Sequence, residues 1–522
     1  MTQREAAESI LRLERRLEEA LPGGAAGLVF CGDRHGNRRK LRVWPLVRQR
    51  LWGLLVNPAL HQRALPAEFR RDVAFRLTDA CRAALERAAA QGPVDVLAMT
   101  RGQDGTVAGG RRWDRVADPL LLALPEGATG LKIGLDGSGG PDGSGDLDGA
   151  AGGGDVAERL PALPLETVMR VRGPFPEEGV AGFAELRRLS SEACGLEPDE
   201  DLVLKDALVA LAWAELWAEA LQLLRPRAVL TACYYHPPMN GLMLACREAG
   251  ATSADVQHGK QGAFQAAYTH WSAFPEGGWE LLPDWFWTWG AATREDVSRW
   301  AGGAAHAPRP IIGGYPWIGL WAGGELDGAS ECRHARAVAG EGVCVLVTLQ
   351  PIWEGIAPEV MEAMAAAPRQ WRWLLRAHPR QRGGLERIEA QAASIPGLDF
   401  EVRESTRLPL YALFRAASVH VTAYSSCCLE ALHFGLPTVL WGERAAAIFS
   451  GPIGSGTFLH AAGGAELPGR MAEALRLRAA PGPLSWPEAG QYIETTADAA
   501  REAARTILAP GRRGRDQEVE HG

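Results

Sequence analysis

The sequence has no basic excess, no long apolar run and no apolar leader. Its 522 residues hold 55 Lys and Arg against 63 Asp and Glu, a net charge of −8, so charge gives no reason to expect nucleic-acid binding. No segment approaches the about 20 apolar residues that cross a bilayer. Met1 to Arg16 is charged and helix-forming where a signal peptide would be apolar. We therefore predict a cytoplasmic protein.

Cysteine is sparse and irregularly spaced. The nine cysteines include no CxxC pair, and their odd number argues against both a disulfide framework and a zinc site. Cys233, Cys246 and Cys344 lie in apolar contexts and are interpreted as small buried hydrophobes. No carboxylate set has the spacing of a metal site, so we expect neither a metal nor a cofactor.

The composition is that of a folded protein with more than one domain. Hydrophobic residues make up 47% and charged residues 23%. Helical spacing of aliphatic residues in Ala6–Leu21 and again in Pro66–Ala90 predicts a mostly helical accessory region over residues 1–92.

An alternation of buried strands and helices begins after this region. Val94–Met99 and Gly130–Leu135 are predicted strands separated by a Gly-rich loop and a helix, which is the order of a parallel α/β domain. We assign this domain to residues 93–322. Within it, residues 136–155 are almost all Gly, Asp, Ser, Pro and Ala, which predicts a disordered insertion.

A second α/β unit is predicted over residues 330–510, followed by a polar, disordered tail over 511–522. Val343–Thr348 reads as its first buried strand. The predicted fold class is α/β, with two Rossmann-like doubly wound domains facing a cleft. Ligands of such sheets bind beyond the carboxyl ends of the strands, so polar residues that directly follow strands are the candidates for a site.

Two such places lie in the second domain. His378 and Pro379 follow one strand together with Arg376, and the proline holds the imidazole at the strand end. Ser425 and Ser426 follow another strand and open a helix, where hydroxyls and free N–H groups suit a phosphate. Serine is also an ordinary helix N-cap, and the two roles are compatible.

The helix that Ser425 opens carries Glu430 and ends at Gly435-Leu436-Pro437. Glu430 fits two interpretations equally, a structural acid in the first turn or a group that binds a ribose. The Gly-Leu-Pro segment is structural and sets how closely the backbone approaches a ligand.

One further place lies in the first domain, at Gln257-His258-Gly259. The histidine follows a strand, and Gly259 allows a close approach by a ligand. It would face the second domain from the opposite wall of a cleft. A structural histidine is the alternative interpretation.

These motifs in this order resemble GT-B glycosyltransferases of bacterial capsule and lipopolysaccharide assembly. The His-Pro pair at 378–379 and the Ser-Ser pair at 425–426 are similar to motifs of sialyltransferases, polysialyltransferases and Kdo transferases, which contact the CMP part of a CMP-sugar. His258-Gly259 is similar to a motif of CDP-glycerol glycerophosphotransferases. The Glu and Gly-x-Pro pattern is shared with UDP-GlcNAc 2-epimerases.

The resemblance implies a metal-independent enzyme that moves a sugar from a nucleotide-activated donor to a glycan or glycolipid. By its position after a strand of the first domain, His258 is the first choice for the general base, and His378 would assist the leaving phosphate. The predicted donor-binding residues are Thr348, Gln350, Arg376, His378, Pro379, Ser425, Ser426 and Glu430. The resemblance further implies surface-polysaccharide assembly proteins as partners and peripheral attachment to the inner face of the membrane.

The base and the reaction have alternatives. The resembling families carry an acidic-acidic-Gly motif that supplies the base, and Glu177-Glu178-Gly179 matches it in letters. Other candidates are His236, Asp114 and Asp118. The rival functions are a CDP-glycerol-type transferase, a UDP-GlcNAc 2-epimerase-like enzyme, and a non-catalytic scaffold or glycan-binding protein.

Overall fold

The structure is a computed structural model. It describes residues 2–34, 37–57, 66–101, 104–135, 162–175, 179–262, 265–326, 328–479 and 486–509. The insertion predicted over residues 136–155 and the tail predicted over 511–522 lie outside these residues, as does Glu178.

Most of the described strands belong to two parallel sheets. In chain order the strands are β1 Val29–Arg34, β2 Asn37–Arg42, β3 Arg71–Leu77, β4 Val96–Thr100, β5 Gly105–Ala108, β6 Arg111–Asp114, β7 Gly130–Gly134, β8 Ala162–Pro164, β9 Thr167–Pro174, β10 Ala228–Thr231, β11 Thr252–Val256, β12 Trp285–Thr288, β13 Arg309–Ile312, β14 Cys344–Thr348, β15 Arg372–Arg376, β16 Asp399–Glu401, β17 Val419–Thr422, β18 Thr438–Trp441 and β19 Leu459–Ala461.

The described α-helices fill the connections between these strands. They are α1 Gln3–Ala20, α2 Trp44–Val56, α3 Asp79–Ala90, α4 Ala117–Leu122, α5 Phe183–Cys194, α6 Glu200–Leu224, α7 Pro237–Ala249, α8 Ala291–Ala301, α9 Pro316–Ala322, α10 Ala329–Ala339, α11 Pro358–Ala366, α12 Leu385–Ala393, α13 Arg403–Arg407, α14 Leu410–Ala416, α15 Cys427–Leu432, α16 Gly442–Ile448, α17 Ser450–Gly454, α18 Leu467–Ala479, α19 Ala489–Tyr492 and α20 Ala497–Leu508.

Both sheets have the Rossmann strand order, which confirms the predicted fold class. The first runs β13-β12-β11-β10-β4-β7-β8 and the second β16-β15-β14-β17-β18-β19, with parallel pairing throughout. When the strands of each sheet are numbered in chain order, the second sheet has the order 3-2-1-4-5-6. The first sheet has the same order with a seventh strand, β13, added after the sixth. The order reverses between β4 and β10 and between β14 and β17. In such sheets ligands bind at that reversal.

The N-terminal region differs in part from its prediction. Pro66–Ala90 is predicted as one helix, but the structure forms β3 and then α3 there, and β3 pairs antiparallel with β9. The alternation in Arg71–Leu77 suits a strand, and its partner lies about a hundred residues away, where local spacing gives no sign of it. The region shares a core with the first sheet and is tied to it by buried Arg48, which donates to the Ala266 carbonyl at 2.9 Å.

One helix among the described residues meets the length and hydropathy of a membrane span, although the sequence prediction expected none. This helix is α6, whose best 18-residue window has a mean hydropathy of 1.4. About 67% of this stretch is buried inside the protein, and the core helix of a folded protein can have the same length and hydropathy.

The chain crosses between the two sheets twice, and the crossings lie side by side. The first follows β13, and the second brings the C-terminal segment back. Tyr315 N donates to the Glu494 carbonyl, and Glu494 N donates to the Trp289 carbonyl, each at 2.7 Å. The C-terminal α20, which the predicted boundaries group with the second sheet, packs through Ala503 and Ile507 against the core of the first.

The close packing of α6 on α7 generates a stability prediction. Gly241 of α7 faces α6, and a Cβ there would lie 2.6 Å from Ala214 N and 2.7 Å from the Ala210 carbonyl oxygen. Backbone atoms cannot move aside, so Gly241→Ala should cost about 1–3 kcal/mol. The urea midpoint of unfolding measures this.

Gly469 in α18 provides the matched control. A Cβ there meets nothing within 4 Å. Gly469→Ala should therefore raise stability by about 0.5–1 kcal/mol through helix propensity. If both substitutions had the same effect, backbone contact between α6 and α7 would not be the cause.

Candidate functional site

The carboxyl ends of the two sheets meet across the cleft. An ideal Cβ on Gly259, after β11, would lie 3.6 Å from Oγ of Ser426, after β17. The β5–β6 hairpin also reaches the second half of the chain, where the rings of Trp113 and Trp317 are 5.5 Å apart. The motif predicted on the first wall thus faces the Ser-Ser motif predicted on the second.

His378 is held in one orientation by its own turn. It caps the 3₁₀ turn Pro379–Gly384, where its Nδ1 accepts a hydrogen bond from Arg380 N at 3.2 Å. Because Nδ1 is the acceptor, the neutral ring carries its proton on Nε2, which can donate to a ligand. Burial lowers the pKa of His378 to about 4, and the charges of Arg380, Arg115 and Arg382 add to that effect.

Arg376 lies behind His378 and is anchored rather than free. Its Nη1 donates to the carbonyls of Ser405 at 2.7 Å and Leu408 at 2.5 Å. Burial lowers its pKa to about 10, and repulsion from Arg382 and Arg115 contributes. The guanidinium is therefore a fixed positive charge beneath the motif.

Arg115 brings a positive charge from the first domain. It follows β6, donates to Asp104 at 3.2 Å and keeps 35% of its side chain exposed. Burial opposes its charge, but Tyr315, Asp104 and Glu430 raise its pKa well above the ordinary value. Its charge also acts on His378. Arg115 is thus the electrostatic link between the walls.

Glu430 faces the interior rather than the open cleft. Its carboxylate accepts from the Tyr411 hydroxyl at 2.5 Å, and the residue is 4% exposed. Burial raises its pKa, and the charge of Arg115 opposes the rise. This placement supports the structural interpretation and makes Glu430 a counter-charge for Arg115.

Ser425 and Ser426 open a helix that is too short to form an anion site at its N-terminus. α15 has six residues, and the Ser425 hydroxyl accepts from Cys427 N at 3.3 Å. The Ser426 hydroxyl makes no capping bond to the helix. Since a macrodipole grows with aligned peptides, the arginines supply more of the positive potential here than the helix does.

A small hollow of about 10 Å³ opens at the strand-order reversal of the second sheet. Thr348 and Gln350 line it with Trp353, Ala423 and Trp441. This is room for about one water molecule, so the hollow is a depression in the wall of the cleft and not a ligand pocket. Both polar residues are 7% exposed.

The hydroxyl of Thr348 does not point freely into this hollow. It lies 2.9 Å from Nε2 of buried His420, while the Thr348 carbonyl accepts from Thr422. Thr348 therefore shapes the floor of the hollow.

On the first wall His258 contacts a thiol. Its Nε2 lies 2.9 Å from Sγ of Cys233, and the same sulfur lies 2.9 Å from Nη1 of Arg101. Arg101 pairs with Asp104 at 2.7 Å. Burial lowers the pKa of His258 to about 4, and Arg101 adds to the effect. Cys233, interpreted from sequence as a buried hydrophobe, is only half-buried and polar in its contacts.

The strand beneath His258 carries a buried acid. Asp255 accepts from Tyr234 N at 2.9 Å and from the Tyr268 hydroxyl at 2.7 Å. Burial raises its pKa to about 7, while His258 acts in the opposite direction. The acid fixes the loop that holds Cys233.

The alternative bases lie in different settings. His236 keeps an exposed face near Arg101 and Arg380, and the partial burial of its ring, followed by these two charges, lowers its pKa. Asp114 accepts from Val116 N and Ala117 N, so it caps α4, and burial raises its pKa to about 7. Asp118 is buried and lies 2.5 Å from Lys132.

Asp118 lies too deep to reach an acceptor. Sequence reasoning missed several residues of the cleft. Arg101 and Cys233 follow β4 and β10, the strands flanking the order reversal, and that position was the available signal. Arg115, Arg380 and Arg382 had no such signal. No three His, Cys, Asp or Glu side chains group as a metal site within the described part of the chain.

No protein-family model and no curated protein matches this sequence. Among solved structures, the UDP-GlcNAc 2-epimerase of Methanocaldococcus jannaschii with UDP-GlcNAc and UDP is 9% identical, covering 80% of this chain and 100% of that one, with a TM-score of 0.47. A glycosyltransferase from Rickettsia africae ESF-5 is 11% identical, with 80% and 100% covered and a TM-score of 0.46. HepE of Anabaena with UDP and glucose is 14% identical, with 82% and 100% covered and a TM-score of 0.41.

The charges of the cleft generate a binding prediction. Pyrophosphate should raise the melting temperature, because it satisfies cations that have few anionic partners. Arg115→Met should weaken this binding by about 10- to 100-fold, the usual value of a charge-assisted hydrogen bond. Arg112→Met, an exposed arginine of the same hairpin, is the control and should leave it unchanged. An equal loss in both variants would contradict a specific role for Arg115.

Proposed function

We propose that this protein is a metal-independent glycosyltransferase that uses a nucleotide-activated sugar and a glycan or glycolipid acceptor. The observation that carries the proposal is the concentration of positive charge between the walls. Arg115, Arg376, Arg380, Arg382 and the Nε2–H of His378 lie close enough to act on one another. The carboxylates beside them, Glu430 and the Asp104 that pairs with Arg115, are both buried. Such a cleft attracts the phosphates of a nucleotide sugar.

The donor would lie along the second wall. The nucleoside would lie over the hollow, beside Thr348, Gln350 and Trp353. His378, Ser425 and Ser426 would contact phosphate oxygens, with Arg376 as a fixed charge behind them. A CMP-sugar is the favoured donor, on the resemblance of the His-Pro and Ser-Ser motifs.

Transfer would break the bond between the sugar carbon and the phosphate oxygen and form one from that carbon to an acceptor hydroxyl oxygen. His258 on the opposite wall would take the hydroxyl proton, a step typically worth about 10²–10⁴-fold. The negative charge that develops on the leaving phosphate would be stabilised by Nε2–H of His378 and by Arg115. His378 is neutral at pH 7 in the empty site, so it acts first as a hydrogen-bond donor.

The cellular setting stays part of the proposal. We place the enzyme in the cytoplasm, working with other surface-polysaccharide assembly proteins at the inner face of the membrane when its acceptor is a glycolipid. An epimerase-like enzyme is the second candidate, since it would use the same cationic cleft. It needs no acceptor, so product analysis with donor alone separates the two.

A nucleotide screen tests the donor site directly. Among CMP, CDP, UDP and GDP we expect CMP to give the largest thermal shift. His378→Ala should weaken that binding at least about tenfold by removing the fixed N–H donor. His334→Ala, a surface histidine paired with Glu404, is the control. Unchanged CMP binding in His378→Ala would sink the donor-site assignment.

The pH dependence of nucleotide binding has a defined sign. A bound phosphate raises the pKa of His378 from its value of about 4 in the empty site, so binding takes up a proton. The CMP dissociation constant should fall as pH is lowered from 8 to 5, by up to about tenfold per unit below the raised pKa. Titration calorimetry measures this. The contribution of His378 to the slope should disappear in His378→Gln.

A further inference from the structure

Cys233 lies at a strained turn between β10 and α7. Its φ is +61°, in the left-handed region that non-glycine residues rarely adopt. Two bonds hold the turn: His236 N donates to the Cys233 carbonyl at 2.8 Å, and Tyr234 N donates to Asp255. The turn presents the sulfur at the carboxyl edge of the first sheet.

Two groups of opposite character contact this sulfur. Nε2 of His258 and Nη1 of Arg101 each lie 2.9 Å from Sγ. The imidazole can accept the thiol proton, and the guanidinium stabilises negative charge on sulfur. A nucleophile within hydrogen-bond reach of a base that is itself held in place is the arrangement of an activated thiol.

The remaining neighbours of the Cys233 sulfur set the protonation state of this site. Asp104 pairs with Arg101 on one side, and Asp255 lies below. The hydroxyls of Tyr235 and Tyr268 complete the surroundings, and burial raises the pKa of both well above the ordinary value, so they stay neutral. With its pKa lowered to about 4, the His258 ring is neutral at pH 7 and a weak base, so it can relay the thiol proton to solvent but not hold it. The charge that stabilises a thiolate is therefore that of Arg101, 2.9 Å from Sγ.

We propose that Cys233 is a reactive thiol of the cleft and a site of covalent modification by small electrophiles, such as hydroperoxides and alkyl halides. With an alkyl halide, an S–C bond forms, the carbon–halogen bond breaks, and halide leaves. With a hydroperoxide, an S–O bond forms, the O–O bond breaks, and the leaving oxygen carries away a proton as water or an alcohol. In both cases His258 takes the thiol proton and returns it to solvent.

Modification at Cys233 also has a consequence that rests on the proposed function. A group attached to Sγ would occupy the space between Arg101 and His258 and cover the nitrogen assigned as the base. Transfer should then fall in proportion to the labelled fraction. Nucleotide binding on the second wall should persist, since no residue of that wall contacts Cys233 in the described structure.

Other half-buried cysteines serve as internal controls. Burial raises the pKa of Cys332, and burial raises the pKa of Cys427 to about 12. The structure gives neither thiol an imidazole contact.

The test is labelling of the full chain by iodoacetamide, with peptide mapping by mass spectrometry. At pH 7 Cys233 should react at least about tenfold faster than Cys332 and Cys427. Its labelling rate should decline only at a lower pH than theirs, because Arg101 stabilises the thiolate. The rate at an ordinary thiol falls about tenfold per pH unit below its pKa. Equal rates at all three sites, or the same pH dependence at all three, would overturn the proposal.

A variant adds the cause of the reactivity. Arg101→Met should slow labelling at Cys233 about tenfold or more, whereas Arg112→Met, a change at an exposed arginine, should not. The unmodified protein already supplies the pH profile, so a folding failure of the variant leaves the proposal testable. Labelling needs no donor or acceptor, and loss of transfer activity is read separately. Fast labelling without any transferase activity would therefore contradict the proposed function and not the reactive thiol.

Discussion

The cleft is governed by positive charge that its own carboxylates neutralise only in part. Arg376 is anchored by carbonyl groups, and the pKa values of Arg376 and His378 are depressed by burial and by their cationic neighbours. Buried charges of one sign are costly unless a counter-ion joins them. Asp104 pairs with Arg101 and Arg115, and Glu430 supplies a second carboxylate that is also bound to Tyr411. An anion with several oxygens, such as the phosphate of the proposed donor, would complete the site.

This constraint separates the candidate functions by class. A neutral glycan offers only hydroxyls, which do not neutralise several partly buried arginines. Glycan binding alone therefore does not explain the positive charge of the cleft. A sugar transferase, an epimerase and a glycerophosphate transferase all handle phosphate and fit it equally. The first wall is the reason to propose a transferase, because His258 and Cys233 lie in contact on it and Gly259 faces Ser426 across the cleft.

In the proposed reaction the two walls have different roles. The second wall would stabilise the negative charge of the leaving phosphate, and the first wall would accept the proton of the acceptor hydroxyl. Cys233 adds a condition, because the nitrogen assigned as the base already faces a sulfur in the empty site. An acceptor hydroxyl has to compete with that thiol for the same lone pair. The contact therefore fixes the orientation of the imidazole. It also makes the availability of the proposed base depend on the chemical state of Cys233.

How far the sequence predicts this site depends on how local each signal is. Apolar runs ending in polar residues predicted both sheets and placed His258, His378 and Ser425 at strand ends, because a strand and its terminal residue are neighbours in the chain. Arg115 could not be found in this way. It leaves a hairpin inside a segment predicted as a Gly-rich loop, and its partner Glu430 lies more than three hundred residues further on. They become neighbours only because the chain crosses between the two sheets and back. Local sequence periodicity does not predict such a contact.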